Sequence, residues 1–331
     1  MSNATIYDVA GAARVSLATV SRVLNNPEKV KAETRERVLE VIDKLGYRPN
    51  AIARGLASRK STTVGVIVSD ISRASTAELL DGIIDIANTY KYVIKLFAIH
   101  EISNLENVIR NVIAEQVDGV LFLDNEIESK ELNTILKMLM ENDIPLVLSN
   151  VVDANGEVPS VSIDYEKAGY EITKELIKDG RKDIYLLSTV RKYTVNEYKE
   201  KGYIKAMEEA NLEPKVFRTS GDISINRPHF DYFFDQNPVD AALGVRDSIA
   251  ISFMNVARDK GKVIPNDLAV VGFQNTKYAL LSRPALSCID IPVYDIGAVS
   301  MRYLTKLMNN ETVENKKVFL PHRILKRETT K

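Results

Sequence analysis

The chain has 331 residues, of which 45% are hydrophobic and 27% charged, and its net charge at pH 7 is −1. This composition is ordinary for a soluble globular protein of two or three domains, and no apolar run approaches the roughly 20 residues of a membrane span. A single cysteine, Cys288, excludes an internal disulfide framework and predicts a reducing, cytoplasmic location, and three scattered histidines offer little material for a metal site.

Charge is distributed unevenly along the chain. Residues 1–60 carry 11 Lys and Arg against 6 Asp and Glu, a net charge of +5, whereas the remainder carries −6. A small basic segment on a larger acidic body is typical of a protein whose head binds a polyanion. A merely soluble surface is the alternative, and charge alone leaves it open.

The basic segment opens with TIYDVAGAARVSLATVSRVLN, residues 5–25, which predicts two short helices. Thr5 is a suitable N-cap for the first helix, and Ser16 for a second helix over residues 17–24, because apolar residues follow each of them at helical spacing. A tight break at Arg14 separates the two. This is the plan of a helix-turn-helix motif, in which the second helix lies in the major groove of DNA.

The outer face of the predicted second helix mixes small polar, small apolar and basic side chains. Arg22 has the geometry for a bidentate hydrogen bond to guanine, and Leu17 and Ala18 suit contact with thymine methyl groups. The head residues predicted to meet DNA are Tyr7, Ser16, Leu17, Ala18, Thr19, Ser21, Arg22 and Asn25. The alternative is a two-helix fragment of an ordinary core, in which Arg22 is merely solvated.

A third helix is predicted within KAETRERVLEVIDKLGY, residues 31–47, with Gly46 as its C-terminal stop. Its predicted apolar face consists of Val38, Val41, Ile42 and Leu45. The three helices would enclose a miniature core, so we expect residues 1–48 to form one DNA-binding domain.

A short hinge helix is predicted over residues 49–60, within YRPNAIARGLAS and the two residues that follow it. Asn50 is a suitable N-cap, but so short a helix is marginal in water and should form only when paired with its twin from a second subunit on DNA. Leu56 would then insert between base pairs in the minor groove, while the small Ala53 permits close approach. A plain connector is the alternative.

From residue 61 onward, strand and helix patterns alternate, which predicts an α/β body with doubly wound parallel sheets. The predicted strands are 64–68, 92–98, 119–123, 145–149, 183–188, 241–244 and 268–273. The predicted helices are 76–90, 105–115, 130–141, 166–178, 195–210 and 247–260. Because the alternation restarts after residue 165, we expect residues 61–331 to form two lobes with a ligand cleft at the carboxyl ends of their strands.

The head and hinge resemble the LacI/GalR family of bacterial transcription regulators through TIYDVA, VSLATVSRVLN and YRPNAIARGLAS. The similarity continues through TTVGVIVSDIS, QVDGVLFL, PSVSIDY and VIPNDLAVVGFQN, and so covers essentially the whole chain. It implies a homodimer that binds palindromic operator DNA, mainly as a repressor, with a body of the periplasmic-binding-protein type. Gly11-Ala12 and Arg14 depart from the common pattern of the family, but neither position lies on the predicted DNA face.

The cleft departs further from the sugar-responsive members of this family. Those relatives use an aromatic residue after the first strand and aspartates at later strand ends, whereas this chain has Arg73 in the first loop and Gln274 in GFQN. Lys199 and Asp247 complete the set of predicted cleft residues. Losing aromatic and carboxylate groups weakens the expectation of sugar binding. A structural pair of Lys199 with Asp247 across the cleft is an equal alternative to a role in ligand binding.

The segment VYDIGAVSMRYLTKLM, residues 293–308, predicts a helix on which Arg302 and Lys306 are neighbours, because they lie four residues apart. Two adjacent cations suit a phosphoserine, although a solvated basic stripe is a common alternative. The resemblance to the branch of the family that governs carbon catabolite control implies seryl-phosphorylated HPr as the partner. The residues that this resemblance assigns to the partner are Tyr90, Tyr294, Asp295, Arg302 and Lys306. We expect the helix to belong to the second lobe and Tyr90 to the first.

The sequence contains no nucleophile elbow, phosphate-binding glycine loop or cluster of metal ligands, so we expect neither enzymatic activity nor a cofactor. The favoured interpretation is a DNA-binding transcription regulator controlled by seryl-phosphorylated HPr. One alternative is a repressor controlled by a small sugar or nucleobase in the cleft. From another class, the alternative is a cytoplasmic ligand-binding protein whose head is vestigial.

Overall fold

The computed structural model describes residues 4–47, 61–99, 104–123, 125–153 and 155–331. The chain divides into two units, with the boundary between Ser61 and Thr62. The predicted hinge, residues 49–60, lies outside the described residues, and with it Asn50, Ala53 and Leu56.

The first unit contains the three predicted helices of the head: α1 (Ile6–Ala13), α2 (Leu17–Asn25) and α3 (Ala32–Leu45). A single 3-10 turn, Pro27–Lys29, connects α2 to α3. The two α-helices of the motif are joined at Arg14, which adopts the left-handed conformation with φ of 54°.

Local hydrogen bonds begin both helices where the sequence predicts. The Thr5 hydroxyl accepts from the Asp8 amide, the Asp8 carboxylate accepts from the Thr5 amide at 2.8 Å, and the Ser16 hydroxyl accepts from the Thr19 amide at 3.2 Å. These bonds satisfy amides that a helix N-terminus otherwise leaves unpaired. The head is therefore specified largely by short-range signals.

The core of the head is small and aliphatic. Its buried side chains are Val9, Ala10, Ala13, Val20, Val23 and Val38. Val41 and Ile42 are half-buried against it, but Leu45 is 39% exposed, so the prediction that Leu45 belongs to the apolar face is wrong. The helix α3 is longer than α1 and α2, and Leu45 is its last residue.

The second unit contains the body. Its described helices are α4 (Ala74–Thr89), α5 (Leu105–Ala114), α6 (Ser129–Met140), α7 (Tyr165–Lys178), α8 (Thr194–Glu209), α9 (Ile223–Gln236), α10 (Asp247–Asp259), α11 (Lys277–Leu281) and α12 (Val293–Met308). Its strands are β1 (Thr63–Val68), β2 (Val93–Ala98), β3 (Gly119–Phe122), β4 (Leu146–Ser149), β5 (Ser160–Ser162), β6 (Ile184–Thr189), β7 (Lys215–Thr219), β8 (Ala241–Gly244), β9 (Ala269–Gln274), β10 (Ser287–Asp290), β11 (Lys317–Phe319) and β12 (Arg323–Leu325).

The strands form two six-stranded sheets, one in each lobe. The order is β11-β5-β4-β3-β1-β2 in the first lobe and β12-β10-β9-β8-β6-β7 in the second. All pairs are parallel except β10 with β12, which is antiparallel. The predicted pair of doubly wound sheets is confirmed. The last part of the chain crosses between the lobes, since β11 lies in the first sheet and β12 in the second.

The helix α12 belongs to the first lobe, so its predicted place in the second lobe is wrong. It packs against α4 and against strands β3, β4 and β5 of the first sheet. Two glycines allow the contact: a Cβ on Gly82 would collide with the carbonyl of Tyr294, and a Cβ on Gly297 with the carbonyl of Leu79. Sequence order suggested the second lobe because α12 follows β10, and only the packing reveals the crossover.

Five elements of the second lobe were not predicted, namely β7, α9, α11, β10 and β12. The helix α9 contains Pro228 in its interior and mixes polar with apolar residues, which obscures the helical periodicity. Its buried face consists of Phe230 and Phe233, which pack edge-on against Phe253 of α10 with ring centroids 5.1 and 5.5 Å apart. This aromatic cluster anchors the helix in spite of its weak pattern.

Candidate functional site

The helix α2 presents the predicted DNA-facing side chains to solvent. Leu17, Ala18, Arg22 and Asn25 are exposed, and Ser21 is half-buried. No ion pair is formed by Arg22 within the described residues of the head, so its guanidinium is available to a ligand. On the neighbouring helix, Tyr7 is 70% exposed.

The polar side chains of α2 are partly engaged with one another. The Ser16 and Thr19 hydroxyls are 2.9 Å apart, and the Asn25 amide donates to the Ser21 hydroxyl at 3.3 Å. These contacts restrict the rotamers of exposed side chains, and preorganised groups lose less entropy on binding. The inner face of α2 is held by the buried Val20 and Val23, which orients the polar face outward.

The residues assigned to a protein partner lie on α12 and, in the case of Tyr90, just beyond α4, and thus on one lobe. Arg302 and Lys306 are exposed on α12, together with Asp295. Tyr90 directly follows α4 and is 48% exposed. The Tyr294 hydroxyl donates to the Asp85 carboxylate of α4 at 2.7 Å, and this bond raises the pKa of Tyr294.

Sequence reasoning missed the contribution of α4 to this surface. Its outer face carries Asp81, Ile84 and Asp85, and Ile84 is 42% exposed. The spacing of three and four residues could have identified an outward face, but it does not reveal that α12 lies alongside. The pair α4/α12 therefore offers a mixed surface with acidic, apolar and basic parts.

All four predicted cleft residues line one cavity between the lobes. Arg73, Lys199, Asp247 and Gln274 surround a volume of about 360 Å³. Gln274 has a φ of 134°, a conformation that a residue with a side chain rarely adopts, and it ends β9 at the cavity wall. Backbone strain at the rim of a cavity is common where a protein positions groups for a ligand.

Lys199 is buried at the base of the second lobe. Its ammonium donates to the carbonyl of Val245 at 2.9 Å and lies 5.3 Å and 4.8 Å from the ring centroids of Tyr165 and Phe273. Burial, and secondarily the positive charge of Arg246, lower the pKa of Lys199 to about 7. The ammonium thus contacts two aromatic rings of the protein, while the residue also lines the cavity.

Asp247 accepts two hydrogen bonds from Thr276, from its amide at 2.7 Å and its hydroxyl at 2.8 Å. Burial raises the pKa of Asp247 against the effect of these bonds. Lys199 and Asp247 do not pair across the cleft, which was one of the two alternatives, because both belong to the second lobe and no ion pair joins them within the described residues; their charges attract only at longer range. Each side chain instead finds neutral partners in its own lobe.

The sequence reasoning also missed Glu126 and Arg246, which form a cluster of three charged residues with Arg73 at the centre of the cleft. Glu126, just after β3, accepts from Arg73 at 2.7 Å and from Arg246 at 2.7 Å. Arg246 immediately precedes Asp247 in GVRDS, yet only Asp247 was singled out. Glu126 had no signal of its own, since an isolated glutamate after a strand is usually solvated.

The described residues contain no group of three or more His, Cys, Asp or Glu that could hold a metal ion. Within the same ranges, every helix is too short or too polar to cross a membrane.

Two families of known proteins match this chain, one in each unit. Residues 5–50 match the bacterial regulatory proteins of the lacI family, and residues 173–330 match a periplasmic binding protein-like domain. Catabolite control protein A of Priestia megaterium is 42% identical over 336 residues, covering 99% of this chain and 100% of the relative.

Solved structures agree on the fold. A lac repressor dimer bound to operator and the anti-inducer ONPF superposes with a TM-score of 0.88 at 23% identity, covering 99% of each chain. The transcription regulator CcpA of Lactococcus lactis has a TM-score of 0.73 at 31% identity, covering 81% of this chain and 99% of that one. The first likeness concerns the architecture alone, whereas the second has closer sequence support.

Proposed function

Because this chain belongs to the lacI family of bacterial regulatory proteins, we propose that it represses genes in carbon catabolite control when seryl-phosphorylated HPr binds its body. Membership of this family identifies a transcription regulator and not an enzyme. Repression, the cytoplasmic location and the dependence on HPr are the parts that we propose. They are supported by the relative named catabolite control protein A, which matches over its full length.

Sequence-specific DNA binding rests on the exposed face of α2. Arg22 is exposed at the middle of the helix, and Leu17 is 38% exposed at its start. A guanidinium reads guanine through two hydrogen bonds, and an apolar side chain reads the thymine methyl group. We propose that a homodimer places two such helices in successive major grooves, which explains the expected palindromic operator.

The partner surface rests mainly on Arg302 and Lys306, the observation that carries the proposal. Both are exposed, they lie one helical turn apart, and neither forms an ion pair within the described residues. A phosphoserine brings nearly two negative charges and three acceptor oxygens, which suit a planar guanidinium beside a mobile ammonium. Tyr90, Tyr294 and Ile84 would supply apolar contact around the phosphate.

Regulation follows if the partner and DNA favour the same state of the body. Each then strengthens the binding of the other by the same factor, because the coupling free energy is reciprocal. HPr would act as a corepressor under these conditions.

A small sugar or nucleobase in the cleft is the second candidate effector. The cavity of about 360 Å³ is within the size range of ligand sites. Its polar centre is already engaged by Glu126 with Arg73 and Arg246, which weighs against this candidate. A ligand-binding protein with a vestigial head would fail to shift any operator of the family in a gel assay.

Calorimetric titration with HPr and seryl-phosphorylated HPr tests the proposal. We expect tight binding of the phosphorylated form only, and Arg302→Ala should weaken it by at least about tenfold through loss of charge-assisted hydrogen bonds. Arg110→Ala is the matched control, because Arg110 is an exposed cation on α5 of the same lobe, 3.9 Å from Glu106. Equal affinity of the unaltered protein for both forms of HPr would refute the partner and make a cleft ligand the leading effector.

A further inference from the structure

The centre of the cleft contains a carboxylate that belongs to the protein itself. Glu126 and Arg73 both extend from the first lobe, whereas Arg246 extends from the second, just before α10. Each carboxylate oxygen of Glu126 meets a different guanidinium, Oε2 that of Arg73 at 2.7 Å and Oε1 that of Arg246 at 2.7 Å. The side chains of Glu126 and Arg246 are only 15% and 17% exposed. The contact therefore joins the two lobes in a largely water-excluded place.

The segment around Glu126 contacts the second lobe at several further residues. Arg191 of the second lobe donates to Glu128 at 2.9 Å and to Glu131 at 2.7 Å. The amide of Thr194 donates to the carbonyl of Ile127 at 3.1 Å, again across the lobes. Residues 125–131 thus form a strap, defined here by these contacts, that fastens the first lobe to residues 191–194 and to Arg246.

Charge pairing of this kind is strongly directional. A carboxylate bound by two guanidiniums makes charge-assisted hydrogen bonds, which are stronger than bonds between neutral groups. Opening the lobes would break the contact between Arg246 and Glu126, and water would have to replace it at both charged groups. A ligand that bound to the guanidiniums of Arg73 and Arg246 would first have to displace the carboxylate.

We propose that Glu126 is a built-in occupant of the cleft, which keeps the lobes closed without a ligand, and that Arg73 and Arg246 form a binding site for a small carboxylate. Glu126 fills this site in the unaltered protein. A free carboxylate enters only when Glu126 is displaced or removed. Closure of the body is consequently independent of any small molecule, and control passes to partners that bind its outer surface.

The reactivity of a cysteine in the cleft measures lobe opening directly. Ser75 lines the cavity and is half-buried, and Ser75→Cys is a nearly isosteric reporter. The native Cys288 is buried, so a maleimide should modify the reporter first. Adding Glu126→Ala to the reporter should raise the modification rate by at least about fivefold, since local opening controls access. Glu126→Gln keeps the shape of the side chain without its charge, and should raise the rate as well.

Glu200→Ala is the matched control for removing a carboxylate. Glu200 pairs with Arg218 at 2.6 Å and is 19% exposed, but both residues belong to the second lobe. Its loss should leave the reporter rate unchanged. Circular dichroism confirms that each variant is folded, and if Glu126→Ala does not fold, Glu126→Gln provides the decisive rate.

Chemical rescue tests the binding site itself. Sodium acetate, compared with sodium chloride at equal ionic strength, should return the reporter rate of Glu126→Ala toward that of the reporter alone, and should have no effect on Glu200→Ala. Unchanged rates in both Glu126 variants would overturn the closure, and a raised rate that acetate does not lower would overturn the carboxylate site. Neither DNA nor HPr takes part, so these outcomes are separate from those that test the proposed function.

Discussion

The contact between α4 and α12 has no room for a single additional carbon atom. A Cβ on Gly297 would lie less than 3.0 Å from the carbonyl oxygen of Leu79, a distance that real Cβ atoms essentially never show. The obstacle is backbone, so no rotamer change relieves it. Gly297→Ala should therefore push the two helices apart by about 1 Å, in an interior that is close-packed.

The expected cost combines two opposing effects. Overpacking a close contact costs roughly 1–3 kcal/mol, and a rigid backbone neighbour places this site at the upper end. Replacing a helical glycine with alanine returns about 1 kcal/mol through helix propensity. We therefore expect Gly297→Ala to lower the free energy of unfolding of the body by about 2 kcal/mol.

A second glycine, Gly82, makes the corresponding contact from the opposite helix. Gly82 meets the carbonyl of Tyr294 across the same crossing, so helices already separated by one methyl group accommodate a second more easily. The double variant Gly82→Ala/Gly297→Ala should cost clearly less than the sum of the single variants. Because α4 and α12 also carry the proposed partner surface, Gly297→Ala should weaken binding of phosphorylated HPr as well.

Urea unfolding followed by far-ultraviolet circular dichroism measures these values, since the chain contains no tryptophan. Gly11→Ala is the control for helix propensity, because a Cβ on Gly11 of α1 would meet nothing within 4 Å. It should stabilise the head slightly. A Gly297→Ala protein as stable as the unaltered chain, or additive costs in the double variant, would refute the reasoning.

Three further outcomes are expected. Arg22→Ala should weaken binding to a cognate operator by about 1–3 kcal/mol with little effect on random DNA, and an equal loss on both in a filter-binding assay would make Arg22 a phosphate contact. Leu56→Ala should reduce operator affinity and DNA bending together, and a bend that circular-permutation gels find unchanged would contradict the minor-groove role of Leu56. Burial lowers the pKa of Lys199 to about 7, so between that pH and its unfolded value only the unfolded chain binds the extra proton. The destabilisation caused by burying the protonated ammonium of Lys199 is fully present below the folded pKa and decreases above it. The free energy of unfolding should therefore rise from about pH 7 to about pH 9, and Lys199→Met should flatten this rise in urea unfolding.

Much of the fold was predictable because its signals are local. Thr5 and Ser16 begin their helices through hydrogen bonds to amides three residues away, and these caps are visible in the sequence as residue types. The strands of the body are short apolar runs between amphipathic helices, a pattern that identifies parallel sheets. Where the pattern is interrupted, as by Pro228 in α9, prediction failed.

The candidate sites were predictable only in part. The exposed face of α2 follows from helical spacing, because Val20 and Val23 must face inward. The cleft residues were found through strand ends and resemblance, but their partners were not. The sequence left open whether Lys199 and Asp247 pair with each other or bind a ligand, whereas each bonds to neutral groups of the second lobe.

By itself, the sequence determined the helix-turn-helix head, the two parallel sheets and the residue types available at the cleft and on α12. Tertiary structure alone decided that α12 joins the first lobe and that Glu126 meets Arg246 at 2.7 Å. The reason is the range over which each effect acts. Caps and periodicity depend on neighbours within a few residues, whereas these contacts join residues more than a hundred positions apart, and only close packing of the folded chain selects them.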